Sequence, residues 1–258
     1  MTEVIQPGHA AELTSSILYL DNVCVSFDGY KALRGLSFVV MPNAMHAIIG
    51  PNGAGKTTMM DCITGKTRPD EGTILFAGNI DVTKLDEARI ANLGIGRKFQ
   101  KPTVFESHTV TDNIRLALKD QRGPLSALFG ARNRIAQNRI DAILETVRLT
   151  AQSRDLAGNL SHGQKQWLEI GMLLAQDPRL LLVDEPVAGM TDAETETTAH
   201  LLRQIAQNHA VLVVEHDMSF VRILDCPVMC LHEGAVLSEG TLDKVASDER
   251  VIEVYLGR

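Results

Sequence analysis

Residues Gly50-Pro-Asn-Gly-Ala-Gly55-Lys56-Thr57 fit the pattern G-x-x-x-x-G-K-[ST]. That spacing builds a loop for phosphate. Its glycines let the backbone curl until several N–H groups point inward at phosphate oxygens. Asn52, Gly53, Ala54, Gly55, Lys56, Thr57 and Thr58 are therefore the expected binding residues. The Lys56 ammonium reaches the β and γ phosphates as a point charge. The Thr57 hydroxyl is placed for Mg²⁺. A helix starting at the end of the loop adds about half a positive charge at its N-terminus.

A second chemical centre is Leu180-Leu-Leu-Val-Asp184-Glu185-Pro186, two acids at the carboxyl end of an apolar run. In an open α/β sheet, ligands bind at that edge. Successive strand side chains point to opposite sides, so the two acids are free to differ in role. Asp184 is placed to hold Mg²⁺ through its water shell, because Mg²⁺ sheds water reluctantly. Glu185 is placed to polarise an attacking water as general base, a role typically worth about 10²–10⁴ in rate.

These residues need a scaffold that brings distant segments to one edge. Met45–Ile49 is a short apolar run that enters Gly50 directly and suits a strand buried on both faces. Lys56 to Thr64 reads as a helix with Gly65 just past its end. Ile17 to Phe27 and Thr73–Phe76 read as strands, with turns at Asp28-Gly29 and Ala77-Gly78. From about 105 to 176 the texture is helical. Thr109-Val-Thr-Asp112 and Ser161-His-Gly-Gln164 are capping-box patterns, and Arg134 to Arg148 is amphipathic. Gly123-Pro124 marks a loop within this stretch. Leu180–Val183 and Val211–Val214 are all-apolar strands with a helix between them starting at Thr191. A hairpin turning at Glu233-Gly234 and two short helical pieces close the chain. The alternation predicts a parallel α/β core at 17–104 and 177–258, an inserted helical subdomain at about 105–176, and a loose tail at 1–16.

Composition narrows the setting. The chain has 258 residues and a net charge of −7, which argues against non-specific nucleic-acid binding. No apolar run approaches the roughly 18 residues of a membrane-spanning helix. Residues 1–16 contain no apolar signal-peptide region, which points to the cytosol. Cys24, Cys62, Cys226 and Cys230 are scattered, match no zinc spacing and read as small packed thiols.

Leu160-Ser161-His162-Gly163-Gln164 resembles the LSGGQ signature of the ATP-binding cassette (ABC) ATPases. It opens a helix, so its N–H groups face an anion, and Ser161 and Gln164 also satisfy a plain helix cap. The resemblance spans residues 17–258. It implies a P-loop ABC-ATPase fold, with a parallel-sheet core, N-terminal antiparallel strands and the helical insertion. It implies ATP and Mg²⁺ as the bound groups. It assigns Ser161, Gly163 and Gln164 to the γ-phosphate held by a facing subunit, and Gln100 to Mg²⁺ and the attacking water. It makes His216 a switch histidine that contacts the γ-phosphate. Phe27 is the aromatic expected to stack on adenine, with Tyr30 as the other candidate and a core position as the plainer reading of Phe27.

Finer features resemble the branched-chain amino acid and urea importers: Gly94-Ile-Gly-Arg97, Lys98-Phe-Gln-Lys-Pro102 and the tail Val251–Gly257. The stretches Leu160–Leu174 and Pro186–Thr191 are similar to urea-importer ATPase subunits, so urea is the expected cargo, with branched-chain amino acids or short amides as the alternative. The implied partners are permease subunits, a second and preferably different ATPase subunit, and indirectly a periplasmic or extracellular substrate-binding protein. The implied place is the inner face of the membrane. Two residues depart from the family pattern. His162 replaces the first signature glycine, beside the expected γ-phosphate, and Thr191 stands where the D-loop aspartate would be. Repair-type ABC ATPases would need long coiled coils, and the chain has no sustained heptads. A GTPase would need Asn-Lys-x-Asp, which is absent from the sequence.

Overall fold

The structure is a computed structural model that describes residues 15–98, 103–119 and 130–256. The expected loop at Gly123-Pro124 and most of the expected tail lie outside these residues.

A four-stranded antiparallel sheet comes first. It contains β1 (Leu18–Phe27), β2 (Tyr30–Val40), β4 (Glu71–Phe76) and β5 (Ile80–Asp81), in the order β2-β1-β4-β5. Asp28 (φ 48°) and Gly29 (φ 87°) close the β1–β2 hairpin with two left-handed residues, which matches strand twist. Between Leu20 and Val23 the register of β1 shifts, with Asn22 at φ 49°. The bulge lets Leu18, Leu20, Val23 and Val25 all reach the core.

The second sheet has six strands. Its members are β3 (Met45–Ile49), β6 (Ile95–Lys98), β7 (Leu180–Asp184), β8 (Ala210–Val214), β9 (Val228–His232) and β10 (Ala235–Gly240). The order is β10-β9-β3-β8-β7-β6, parallel throughout except for the antiparallel β9–β10 pair. The all-apolar runs of β7 and β8 are buried along their whole length, as a sheet covered on both faces requires. Alternate residues feed different cores. Leu180, Leu182, Leu212 and Val214 pack with the first sheet and with helix α1 (Lys56–Ile63). Leu181, Val183, Val211 and Val213 pack with the helical segment instead.

That segment contains α3 (Val110–Ala117), α4 (Gly130–Thr146) and α5 (His162–Ala175). Ile114, Ile140, Ile143, Leu144 and Val147 meet Leu168 and Ile170 in its core. Further α-helices among the described residues are α2 (Glu87–Leu93), α6 (Asp192–Ala206), α7 (Met218–Leu224), α8 (Leu242–Ala246) and α9 (Glu249–Leu256). Among the described residues no helix is long and apolar enough to cross a membrane. Burial pushes the thiols of Cys62 and Cys226 up to about 12 and that of Cys230 up to about 11, so these sulfurs are packed thiols.

Candidate functional site

Four segments converge at the carboxyl edge of the parallel strands. The 50–57 loop follows β3, Asp184 ends β7, Glu215 and His216 follow β8, and Arg97 lies near the end of β6. Gly50 adopts φ 150°, and a Cβ there would stand 2.3 Å from the Leu231 carbonyl oxygen, so the loop passes β9 only because the residue is glycine. Helix α1 begins after Gly55 with no side-chain cap and no acidic residue in its first turn. Its leading N–H groups are thus left for an anion.

The Lys56 ammonium donates to the carbonyls of Gly50 at 2.7 Å and Pro51 at 3.0 Å. Burial lowers its pKa, while Glu185 and Asp184 oppose that shift with their negative charge. The loop is braced from outside. The Gly234 N–H donates to the Ala54 carbonyl at 3.0 Å, the Arg34 N–H donates to the Gly234 carbonyl at 2.8 Å, and Arg34 pairs with Glu233 at 2.9 Å. The Tyr30 hydroxyl reaches the Gly53 carbonyl at 3.5 Å. Phe27, at the end of β1, is 48% exposed, so it is not a core residue.

Strand β7 ends at Asp184, so strand alternation does not set the direction of Glu185. The backbone turns instead. Glu185 sits at φ 44°, and its N–H donates to the Val214 carbonyl at 2.9 Å. The two acids consequently have different neighbours. Asp184 is buried against Arg97, while the Glu185 Oε1 lies 3.6 Å from the His216 Nδ1. His216 is 65% exposed at its side chain and is also 3.7 Å from Glu215. Glu215 is buried and accepts from the N–H groups of His216 at 2.9 Å and Asp217 at 3.3 Å. Burial pushes its pKa up. It shapes the loop that carries His216, a task that sequence reasoning missed.

Ser161 caps α5 in a complete capping box. Its Oγ accepts from the Gln164 N–H at 3.2 Å, and the Gln164 side chain accepts from the Ser161 N–H at 3.0 Å. The Ser161 hydroxyl also donates to Glu194 of α6 at 3.3 Å. A Cβ on Gly163 would lie 2.5 Å from the same carboxylate, which would have to shift to make room. His162 turns back on its own chain, with Nε2 3.1 Å from the Ala188 carbonyl oxygen. Thr191 caps α6 in a second capping box with Glu194. Among the described residues, the side-chain hydrogen bonds of Ser161 and Gln164 stay within the start of α5 and α6. Gln100 lies outside the described residues.

The donor set fits a magnesium nucleotide. Thr57 and Asp184 offer hard oxygens, and Mg²⁺ typically takes one or two carboxylates and completes its shell with phosphate and water. The uncapped start of α1 and the Lys56 ammonium fit the polyphosphate.

Known proteins are similar to this chain in sequence and fold. The ABC transporter family profile matches residues 33–188, and a profile described as branched-chain amino acid ATP-binding cassette transporter matches residues 235–258. The high-affinity branched-chain amino acid transport ATP-binding protein BraF of Pseudomonas aeruginosa is 32% identical over 95% of this chain and 99% of its own length. The protein of the same description, LivG, of Escherichia coli strain K12 is 31% identical over the same shares. These names support the amino acid alternative better than the expected urea. A crystal structure of a nucleotide-free ATP-binding cassette from an ABC transporter superposes with a TM-score of 0.81 at 30% identity, covering 94% of this chain and 100% of that one. A dimeric bacterial ABC transporter cassette superposes with a TM-score of 0.73 at 26% identity, covering 87% and 98%. The fold, the phosphate loop and these matches, which span more than half of the chain, agree: the chain belongs to the ABC transporter family and is an ATP-binding, ATP-hydrolysing cassette.

Proposed function

We propose that the chain is one of two ATPase subunits that drive an ABC importer from the inner face of the membrane, beneath permease subunits. The observation that carries this reading is a phosphate loop and a signature helix start in one chain, with the side-chain hydrogen bonds of Ser161 and Gln164 going to each other and to Glu194. Each half-site then needs a facing copy or homologue, and head-to-tail pairing creates two composite sites. The sequence resemblance favours a different ATPase as the facing subunit and a substrate-binding protein upstream of the permease. With a net charge of −7, nucleic acid is not a proposed partner.

In this reading Lys56 and the 50–57 amides hold the β and γ phosphates. Phe27 or Tyr30 stacks on the base. Thr57, Asp184 and Gln100 hold Mg²⁺, which when bound neutralises charge on the phosphates. Glu185 accepts a proton as the water oxygen attacks the γ-phosphorus and the bond to the β–γ bridging oxygen breaks, releasing ADP. His216 contacts the γ-phosphate and orients Glu185. Ser161, Gly163 and Gln164 of the facing subunit close over the γ-phosphate. Phosphate loss removes that bridge and the subunits part.

Ser161→Arg tests the shared site. It removes a helix cap worth about 1 kcal/mol, too little to unfold the domain. The isolated chain is expected to bind ATP normally and the assembled transporter to lose hydrolysis. Normal turnover by that variant reduces the signature to a helix cap.

For the cargo, the named relatives and the 235–258 match support branched-chain amino acids. Urea is the second reading, supported by the resemblance of Leu160–Leu174 and Pro186–Thr191 to urea-importer subunits. The reconstituted complex, given leucine or urea through its binding protein, separates them. ATPase stimulation by leucine alone is the expected result, and stimulation by urea alone overturns it.

A further inference from the structure

We propose that Arg97 is a positioning residue for the Mg²⁺ site, a rigid spacer that sets the distance between α1 and the end of β7. One arm of its guanidinium donates to the Asp61 Oδ1 and the other to the Asp184 Oδ2, the latter at 3.2 Å. All three side chains are removed from water, with exposures of 6% for Arg97, 14% for Asp61 and 6% for Asp184. Asp61 stands four residues beyond Thr57 on α1, so the two share a helix face. Through Asp61 the spacer fixes the helix that carries the Thr57 hydroxyl, and through Asp184 it fixes the carboxylate. Thr57 and Asp184 are two of the three candidate ligands, and they come from different elements. Lys66, 3.4 Å from the Asp61 Oδ2, steadies the outer end of the chain of charges.

The residue type matters here. A guanidinium is planar, stays charged, and presents its donors in a fixed fork that can hold two carboxylates at once. A lysine ammonium is a point charge on a flexible stem. Mg²⁺ demands near-ideal octahedral geometry at about 2.0–2.1 Å, whereas Ca²⁺ tolerates irregular shells at about 2.3–2.6 Å. A spacer that fixes Asp184 relative to Thr57, with Asp184 acting through the water shell, therefore favours the ion whose hydrated shell keeps one octahedral shape. This inference rests on the reading of Asp184 as a Mg²⁺ ligand.

The test uses the full chain and a fluorescent ATP analogue, titrated with Mg²⁺ or Ca²⁺ and compared with binding in a chelator. Arg97→Lys is expected to leave chelator-phase nucleotide affinity unchanged. It should raise the Mg²⁺ concentration for half-saturation by about 10–100-fold, the usual cost of losing a group that orients a metal ligand. The Ca²⁺ curve should move much less. Asp61→Asn, which cuts the spacer from the other side and keeps the side-chain shape, should shift the Mg²⁺ curve in the same direction. It carries the test alone if Arg97→Lys does not fold. Folded variants with an unmoved Mg²⁺ curve, or with equal shifts for both ions, overturn the proposal. Asp184→Asn separates the two levels. If it moves the Mg²⁺ curve while the spacer variants do not, only the spacer fails. If it too leaves the curve in place, the metal role of Asp184 fails, and the spacer proposal with it.

Discussion

Glu185→Gln is expected to lower ATP hydrolysis by about 10²–10⁴-fold while leaving ATP affinity intact. That loss corresponds to about 3–5 kcal/mol of transition-state stabilisation. Glutamine keeps the shape of glutamate and accepts no proton at neutral pH. The backbone that aims the side chain is independent of its charge. Its left-handed turn at φ 44° is held by the bond from the Glu185 N–H to the Val214 carbonyl. The neighbouring carboxylate, Glu215, is not a substitute. It is buried and committed to the N–H groups of His216 and Asp217. The variant should therefore bind ATP, close with its facing subunit and stay closed, which single-turnover hydrolysis and size-exclusion chromatography would read directly. Hydrolysis at the wild-type rate would remove Glu185 from the base role.

Lys56→Ala is expected to act one step earlier, by abolishing useful nucleotide binding. The ammonium sits beside Gly50 and Pro51 carbonyls and feels the charges of Glu185, Asp184 and Glu215. Without it, an incoming triphosphate meets these carboxylates with a cation missing. Stripping the partner from a buried charge costs about 3–5 kcal/mol, or about 10²–10³-fold or more in Kd. Isothermal titration calorimetry of the folded variant gives the answer, and wild-type affinity would end the phosphate role of Lys56. The pair of variants separates binding from chemistry, because one fails to bind while the other binds and fails to turn over.

The residues of the two predictions were readable from sequence for a physical reason. Phosphate geometry dictates local spacing, so Gly50, Gly55, Lys56 and Thr57 sit within one short run. Asp184 and Glu185 stand at the end of a short all-apolar run suited to a buried strand, and the strand is there. The strands and caps with strong local signals, such as β3, β8 and the Ser161 box, are found as expected. What stayed hidden depends on contacts between distant segments. Arg97 meets partners 36 and 87 residues away, so no window of sequence reveals the pair. Strand β6 has four residues and helix α7 seven, too short to display a period. The turn of His162 toward Ala188 depends on where β7 delivers the chain. Strand alternation predicts that Asp184 and Glu185 face different neighbours, and they do, but a backbone turn at Glu185 does the separating.

The brace on the phosphate loop bears on how the protein is made. Residue 54 is held by the tip of a hairpin at residue 234, and a ribosome adds residues at about 5–20 per second. The loop therefore leaves the exit tunnel many seconds before its support has been synthesised. During that interval the emerging segment has the residues of a nucleotide grip without the clamp that shapes them. The final grip is completed only once the hairpin at residue 234 has emerged and closed over the loop.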